Sequence, residues 1–422
     1  FSLSNQESIT GVIGTKTISQ GDTREVGLKR LTDNGAKIVG CKVGIDWPGS
    51  ASVVISIVWL RKGDWKGTLY TSQLEPAQQI QAEEWSVVEL KANFELAYIG
   101  SQLSGEGFKL SALEAQEYIK AKKDCELVIF PILRGEDVTN EVNQKATQYV
   151  INFDDLSEKD AEFYEPCFQH VRERVFPERQ KVKRESRRQR WWQYAERSAR
   201  LYESIASLDE VIVHPFTAKY LCPSIVSAKQ VFSAPMVVFT TGSRALFSIL
   251  QSNIHGIWVA SKSSTMGATQ RYTPSDCLRT FPLPLLWMDS QQLILRGEQY
   301  LKLRNEIMQN EGCGITSLYN NFHSPKVHSS GLRALRMLHK EIDPFVVRAY
   351  GWDDISLEHD FYEISAATGN DRYRFTISEA ARNKIVHRLT ELNRQRHAEE
   401  VALRSEGNTK VKASSKSGRR GH

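Results

Sequence analysis

Apolar residues recur along this chain in two rhythms, and the switching between them predicts a protein of mixed α/β character. Residues 25–34 carry Val26, Leu28 and Leu31 at helical spacing and stop at Asn34-Gly35, a helix ended by a glycine C-cap. Two strands are expected next, at 36–43 and 52–59, joined across Asp46-Trp47-Pro48-Gly49. In the second, Val53, Ile55, Ile57 and Trp59 share one face while Val54 and Val58 lie on the other, which predicts burial on both sides. Residues 94–110, with glycines at 100, 105 and 107, read as a turn-rich linker. A short helix at 111–122, a strand at 127–133, a turn at Gly135-Glu136-Asp137 and a strand at 149–153 follow. Ser157, with an acid three positions on, opens a helix that can run toward Val175, with Pro166 as its weak point.

Past Pro177 the pattern predicts a fresh helix over 178–192. Segments 209–216, 233–240 and 256–260 then read as strands of a β-rich unit. Three amphipathic stretches close the chain as helices, at 294–309, 332–349 (ended by Gly351) and 378–403. The fold class is therefore an α/β segment followed by a mixed α+β body and a helical C-terminal region. No internal repeat of domain-building length is visible.

Composition narrows this picture by exclusion. With 422 residues, 41% of them hydrophobic and 25% charged, the chain is neither a disulfide scaffold nor a disordered polymer, and it has room for two or three domains. Its six cysteines stand at least 36 residues apart, so no CxxC pair exists for zinc or redox exchange, and reduced, mostly buried thiols are expected. The longest apolar run, 51–60, falls far short of the ~20 residues a membrane span needs. No signal peptide is expected after Phe1, and the missing initiator Met suggests a processed, trimmed or incomplete chain.

Charge adds more once it is located. The net +5 equals the excess of 404–422, six Lys/Arg against Glu406, so the remaining chain is neutral overall. Within it, 170–200 holds eleven Lys/Arg against four Glu, beside Trp191, Trp192 and Tyr194. On a helix, Arg179, Lys183 and Arg187 would form one positive stripe and Lys181, Arg184 and Arg188 its neighbour, a pattern suited to a phosphate backbone. A solvated basic helix docked on an acidic neighbour through its tryptophans is the alternative.

Catalytic signatures are sparse. No HExxH, GxSxG or P-loop occurs, and His323 and His328 sit in a polar loop as surface or capping residues. Gly105-Glu106-Gly107 is half a dinucleotide fingerprint without the strand that should lead into it. The polar stretch 262–271 offers Lys, Gln and Arg, side chains whose geometry suits base edges, though such a loop can equally be solvent-facing.

Several segments in order resemble the MmeI-like DNA methyltransferases, the combined restriction–modification class that methylates adenine N6. They are Thr17 through Leu28, Trp47-Pro48-Gly49, Val58 through Gly63, Tyr98-Ile99-Gly100, Gly105 through Phe108, Pro131 through Asp137, Val171 through Arg179, Arg190 through Tyr194, Arg271 through Asp276, Leu318-Tyr319-Asn320, Ala349 through Trp352 and 389–400. The resemblance covers about nine tenths of the chain. It implies closing strands of a Rossmann-like methyltransferase sheet at 1–92, a β-rich DNA target-recognition domain at 93–300, helical support or spacer at 301–403 and a basic disordered tail at 404–422. It further implies base reading by Lys262, Thr269, Gln270 and Arg271. Phosphate positioning is assigned to Arg179, Lys183, Arg187, Arg188 and Arg190.

The family's glycine-rich S-adenosylmethionine loop and its Asn-Pro-Pro-Tyr adenine grip do not occur here, and neither does an upstream nuclease segment. The expectation is that this chain binds no cofactor alone, that S-adenosylmethionine belongs to the complete enzyme, and that a separate or missing N-terminal methyltransferase segment supplies the chemistry. Its partner would be double-stranded DNA, without a membrane, in a prokaryotic cytoplasm. A non-catalytic DNA-binding subunit of a phage-defence complex and a protein-interaction module remain as alternatives.

Overall fold

The computed structural model describes residues 8–15, 27–28, 30–46, 54–63, 69–70, 76–77, 87–263, 265–266, 269–364 and 373–417. Residues 16–26, 47–53 and 418–422, which carry the start of the 25–34 helix, the Trp47-Pro48-Gly49 joint and the end of the basic tail, lie outside them. Ser264, Gly267 and Ala268 of the polar stretch do so as well. The architecture is mixed α/β with several sheets, and no helix among the described residues is long and apolar enough to cross a membrane.

The expected strand pair near the start is present as Ala36–Asp46 and Val54–Lys62, antiparallel. Ile9–Thr15, which the pattern did not flag, adds antiparallel to the far side of Val54–Lys62 and makes it an interior strand. Val58 and Leu60 are buried in a cluster with Leu28 and Ala36, whereas on the opposite face Ile55 is buried and Ile57 and Trp59 are half-buried, so the expected burial on both sides is met only in part.

The centre of the molecule is a four-stranded antiparallel sheet in the order Ser224–Ser227, Glu210–Pro215, Met236–Phe239, Ala97–Ile99. Ile212, Val237 and Phe239 join the largest core on one face, while Val211, Val213, Met236 and Val238 join a second core on the other. Both faces are covered, so these strands read as continuous apolar runs rather than as alternation. The largest core continues without a break from Ala97 through the helices Arg244–Gln251, Gln291–Glu311 and Ser330–Ala349 to Leu389 in Glu379–Ser417.

Two expectations need correction here. Residues 94–110 are no linker: Ala97–Ile99 is an edge strand, and Phe108 and Leu110 are buried. Their glycines serve close approach, since a Cβ on Gly100 would lie 2.4 Å from the Phe232 carbonyl oxygen and one on Gly107 2.5 Å from Arg174 Cβ. The second correction is 256–260, which lies within the helix Asn253–Lys262. Ser252 caps that helix by accepting from His255 N, and Ile254, His255, Trp258 and Val259 bury one side at helical spacing.

The C-terminal helix is tied to the front of the central body. Asn393 Oδ1 accepts from Val88 N at 3.0 Å, and its Nδ2 donates to the carbonyls of Val88 and Thr280 at 2.8 and 2.7 Å. Two turns on, Glu400 accepts from the main-chain N–H groups of Lys91 and Ala92. All six cysteines are free, four of them buried.

Candidate nucleic-acid interface

The expected basic helix over 178–192 is broken. A short helix, Phe176–Arg179, carries Pro177 in its first turn and stops, the chain turns, and Glu185–Gln189 forms a separate turn of helix. Arg179 is only 1% exposed: its Nη2 donates to the carbonyls of Leu103 and Gln193 at 2.8 and 3.2 Å, over the Phe108 ring. It is a core tie and cannot meet a phosphate in this structure. Arg188 closes the turn by donating from Nη1 to the carbonyls of Val182 and Lys183, and Arg187 lies 3.5 Å from Glu196. Lys183 and Arg190 stay exposed with no ion-pair partner among the described residues. The neighbouring aromatics are core as well, with Trp191 Nε1 donating to Glu158, Trp192 Nε1 to the Leu156 carbonyl and the Tyr194 hydroxyl to the Ile151 carbonyl.

The polar stretch fares differently. Lys262 ends its helix with its ammonium 4.8 Å from the Trp258 ring, and Thr269–Arg271 is the middle strand of a small sheet between Thr217–Ala218 and Thr265–Met266. Arg271 pairs with Thr217 and Gln270 with Ala218. Strand alternation puts Thr269 and Arg271 on one face and Gln270 on the other. Arg271 is exposed, its guanidinium braced at 4.9 Å on the Phe216 ring.

Tyr272 anchors this strand from behind. Its N–H donates to the Phe216 carbonyl at 2.7 Å, and its buried hydroxyl shares a 3.0 Å hydrogen bond with His255 Nε2. Burial, with His214 nearby, pushes the His255 imidazole down to about 3; burial alone brings His214 to about 4. Both rings stay neutral in the folded chain at pH 5, whereas the unfolded chain takes up protons below the ordinary 6.5. Stability is therefore fully present above pH 6.5 and falls as pH drops toward these depressed values. Between pH 7 and pH 5 each ring should contribute a loss of about 2 kcal/mol. In urea unfolding, His255→Gln should shrink the difference between those pH values by about that amount; an unchanged difference would show that His255 is not held neutral.

Other cations gather by contacts that sequence order hides. Lys219 Nζ and the Tyr220 hydroxyl both donate to Asn320 Oδ1, at 2.7 and 2.8 Å, and the Arg374 guanidinium lies 5.0 Å from the Tyr220 ring. His323 is not a free surface residue: it stacks on Tyr220 at 5.0 Å, and its Nδ1 accepts from Phe375 N. His328 is exposed, as expected. A signal for this region was available, because residues 211–275 contain five Lys/Arg and no Asp or Glu. Two of the five, Lys229 and Arg244, pair with Asp209 and Glu210 just before the run, while Lys219, Lys262 and Arg271 lie in or beside the small sheet.

Comparison with known proteins bears on the segment that holds this sheet. Residues 89–285 match the family model described as MmeI, target recognition domain. No curated protein matches the chain. Among solved structures, the chain is similar to the Type IIL restriction-modification enzyme MmeI in complex with DNA, at 15% identity and a TM-score of 0.61 over 92% of this chain. It spans 50% of that longer chain, about half its length. The acid-free run and its small sheet fall inside the segment that matches the MmeI target recognition domain, and the chain shares the fold of the corresponding half of that restriction-modification enzyme.

Proposed function

We propose that this chain selects the DNA sequence on which an MmeI-like adenine-N6 methyltransferase acts, with S-adenosylmethionine as methyl donor. The observation that carries the reading is the acid-free run 211–275, folded so that the recognition domain displays Arg271 on a braced strand. In it Arg271 reads a guanine edge through its two-pronged guanidinium, while Thr269, Gln270 and Lys262 supply the remaining base-edge contacts. Gln270, on the opposite strand face, contacts a different part of the duplex from Arg271. Lys183 and Arg190 hold phosphates, with Arg187 and Arg188 in lesser roles, because both already bond to protein.

In the same reading the five-stranded sheet near the start closes a Rossmann-like methyltransferase fold, 93–300 recognises DNA, 301–403 supports it, and the protein works on the nucleoid in the cytoplasm. The glycine pair Gly105 and Gly107 does not fit the methyl donor, since Arg174 and Val175 fill the space beside Gly107. We place the donor and the flipped-base pocket in a methyltransferase segment outside the described residues.

Selection from a random duplex pool tests this. Arg271→Ala should lose preference at one base position and weaken the preferred duplex by about 1–3 kcal/mol, with little effect on other duplexes. Equal weakening on every duplex would move Arg271 to the backbone contacts and overturn its reading role.

A further inference from the structure

We infer that the DNA-binding surface continues beyond the recognition domain onto the loop 323–329 and the start of the helix Ser330–Ala349, where Lys326 and Arg333 hold duplex phosphates. This rests on the proposed function above and extends it to residues past 285, where the family match ends. Three observations support it.

The first is composition. Residues 312–340 carry Lys326, Arg333, Arg336 and Lys340 and no acid, and the acid that follows, Glu341, is already 3.0 Å from Arg296. The second is continuity. Asn320 receives hydrogen bonds from Lys219 and Tyr220 of the recognition domain, and His323 stacks on Tyr220, so the loop begins where the small basic sheet ends.

The third is rigidity. Arg336 is 6% exposed and donates to four main-chain carbonyls, those of Asn321, Phe322, Ser324 and Val327, at 2.9 to 3.1 Å. No carboxylate among the described residues neutralises it. A buried guanidinium satisfied only by carbonyls leaves its charge beneath the loop, and the loop is held in one shape. Lys326 and Arg333 are both exposed on this clamped base, Arg333 with one Nη on the His328 carbonyl. Fixed cations on a rigid loop and helix start that carry no acid of their own suit a phosphate backbone, which needs position and charge but no base-edge geometry.

The test compares the full chain with the double variant Lys326→Ala/Arg333→Ala on the duplex preferred by wild type and on a scrambled duplex, across salt. Two lost phosphate contacts should lower the slope of log affinity against log salt by about 2, equally on both duplexes, with the preferred sequence unchanged. Lys326→Arg/Arg333→Lys should restore the slope. Both residues are exposed, and an unchanged melting temperature verifies folding. If wild type binds and selects but the double variant keeps its slope and affinity, this inference fails alone. A changed preferred sequence would also overturn it, by making these residues base readers. If wild type binds no duplex, it falls together with the proposed function.

Discussion

Arg336→Leu is expected to cost about 3–5 kcal/mol of folding stability, a large loss for one substitution. The side chain joins no ion pair among the described residues, so its value lies in four carbonyl acceptors and in its packing between the Phe322 and Phe361 rings, at 5.8 and 4.9 Å. Leucine leaves those carbonyls without donors, at about 1–3 kcal/mol for each one that water cannot reach. Some will be hydrated because the loop lies at the surface, which brings the sum down to the stated range. Arg336→Lys keeps charge but presents a compact ammonium instead of a planar fork, so it should recover less than half of the loss. Urea unfolding measures both variants, and a cost below about 1 kcal/mol for leucine would show that the loop does not depend on this clamp.

Asp343→Ala should be comparably damaging, at about 3–5 kcal/mol, for a different reason. Asp343 is fully buried and accepts from Asn253 N at 2.8 Å and Asn253 Nδ2 at 2.7 Å, and its Oδ2 lies 2.6 Å from His359 Nε2. It therefore joins three elements: the start of the helix Asn253–Lys262, the helix Ser330–Ala349 and the hairpin of Asp360–Glu363 with Tyr373–Thr376. Alanine leaves all three donors without their acceptor. The recognition domain should feel the loss, because the freed helix is the one that carries His255, the partner of Tyr272, and ends at Lys262. Hydrogen exchange over 253–262 should accelerate in this variant and stay near wild type in 129–133; uniform acceleration would mean the damage is not local to the joint.

Those two residues illustrate what sequence reading could and could not reach. The helix start at Ser157 was legible because an N-cap and its acid sit three positions apart, and the same capping signal at Ser111 and Glu114 went unused. The strands 210–215 and 236–239 were legible because both faces are buried and the apolar runs are unbroken. The helix Asn253–Lys262 was misread as a strand because a short apolar run carries no period of its own. Gly100 and Gly107 misled in another way, since glycine marks a free turn and a tight contact with the same letter. The stripe drawn through Arg179 failed because its acceptor, the Leu103 carbonyl, is 76 positions away. Of the candidate site, Arg271 was proposed from its chemistry, whereas Lys219 and Arg374 come together at Tyr220 and could not be paired from spacing. The long acid-free run around them could have been found by counting.

The central claim is that this chain chooses DNA by sequence through a positively charged recognition surface. Equilibrium binding of the wild-type chain to a random duplex pool, repeated across a salt series with the bound fraction sequenced, tests it most directly. The account predicts a steep fall of affinity with salt together with enrichment of one short sequence at every salt concentration. Salt-independent binding, or a bound fraction no different from the input pool, would contradict it.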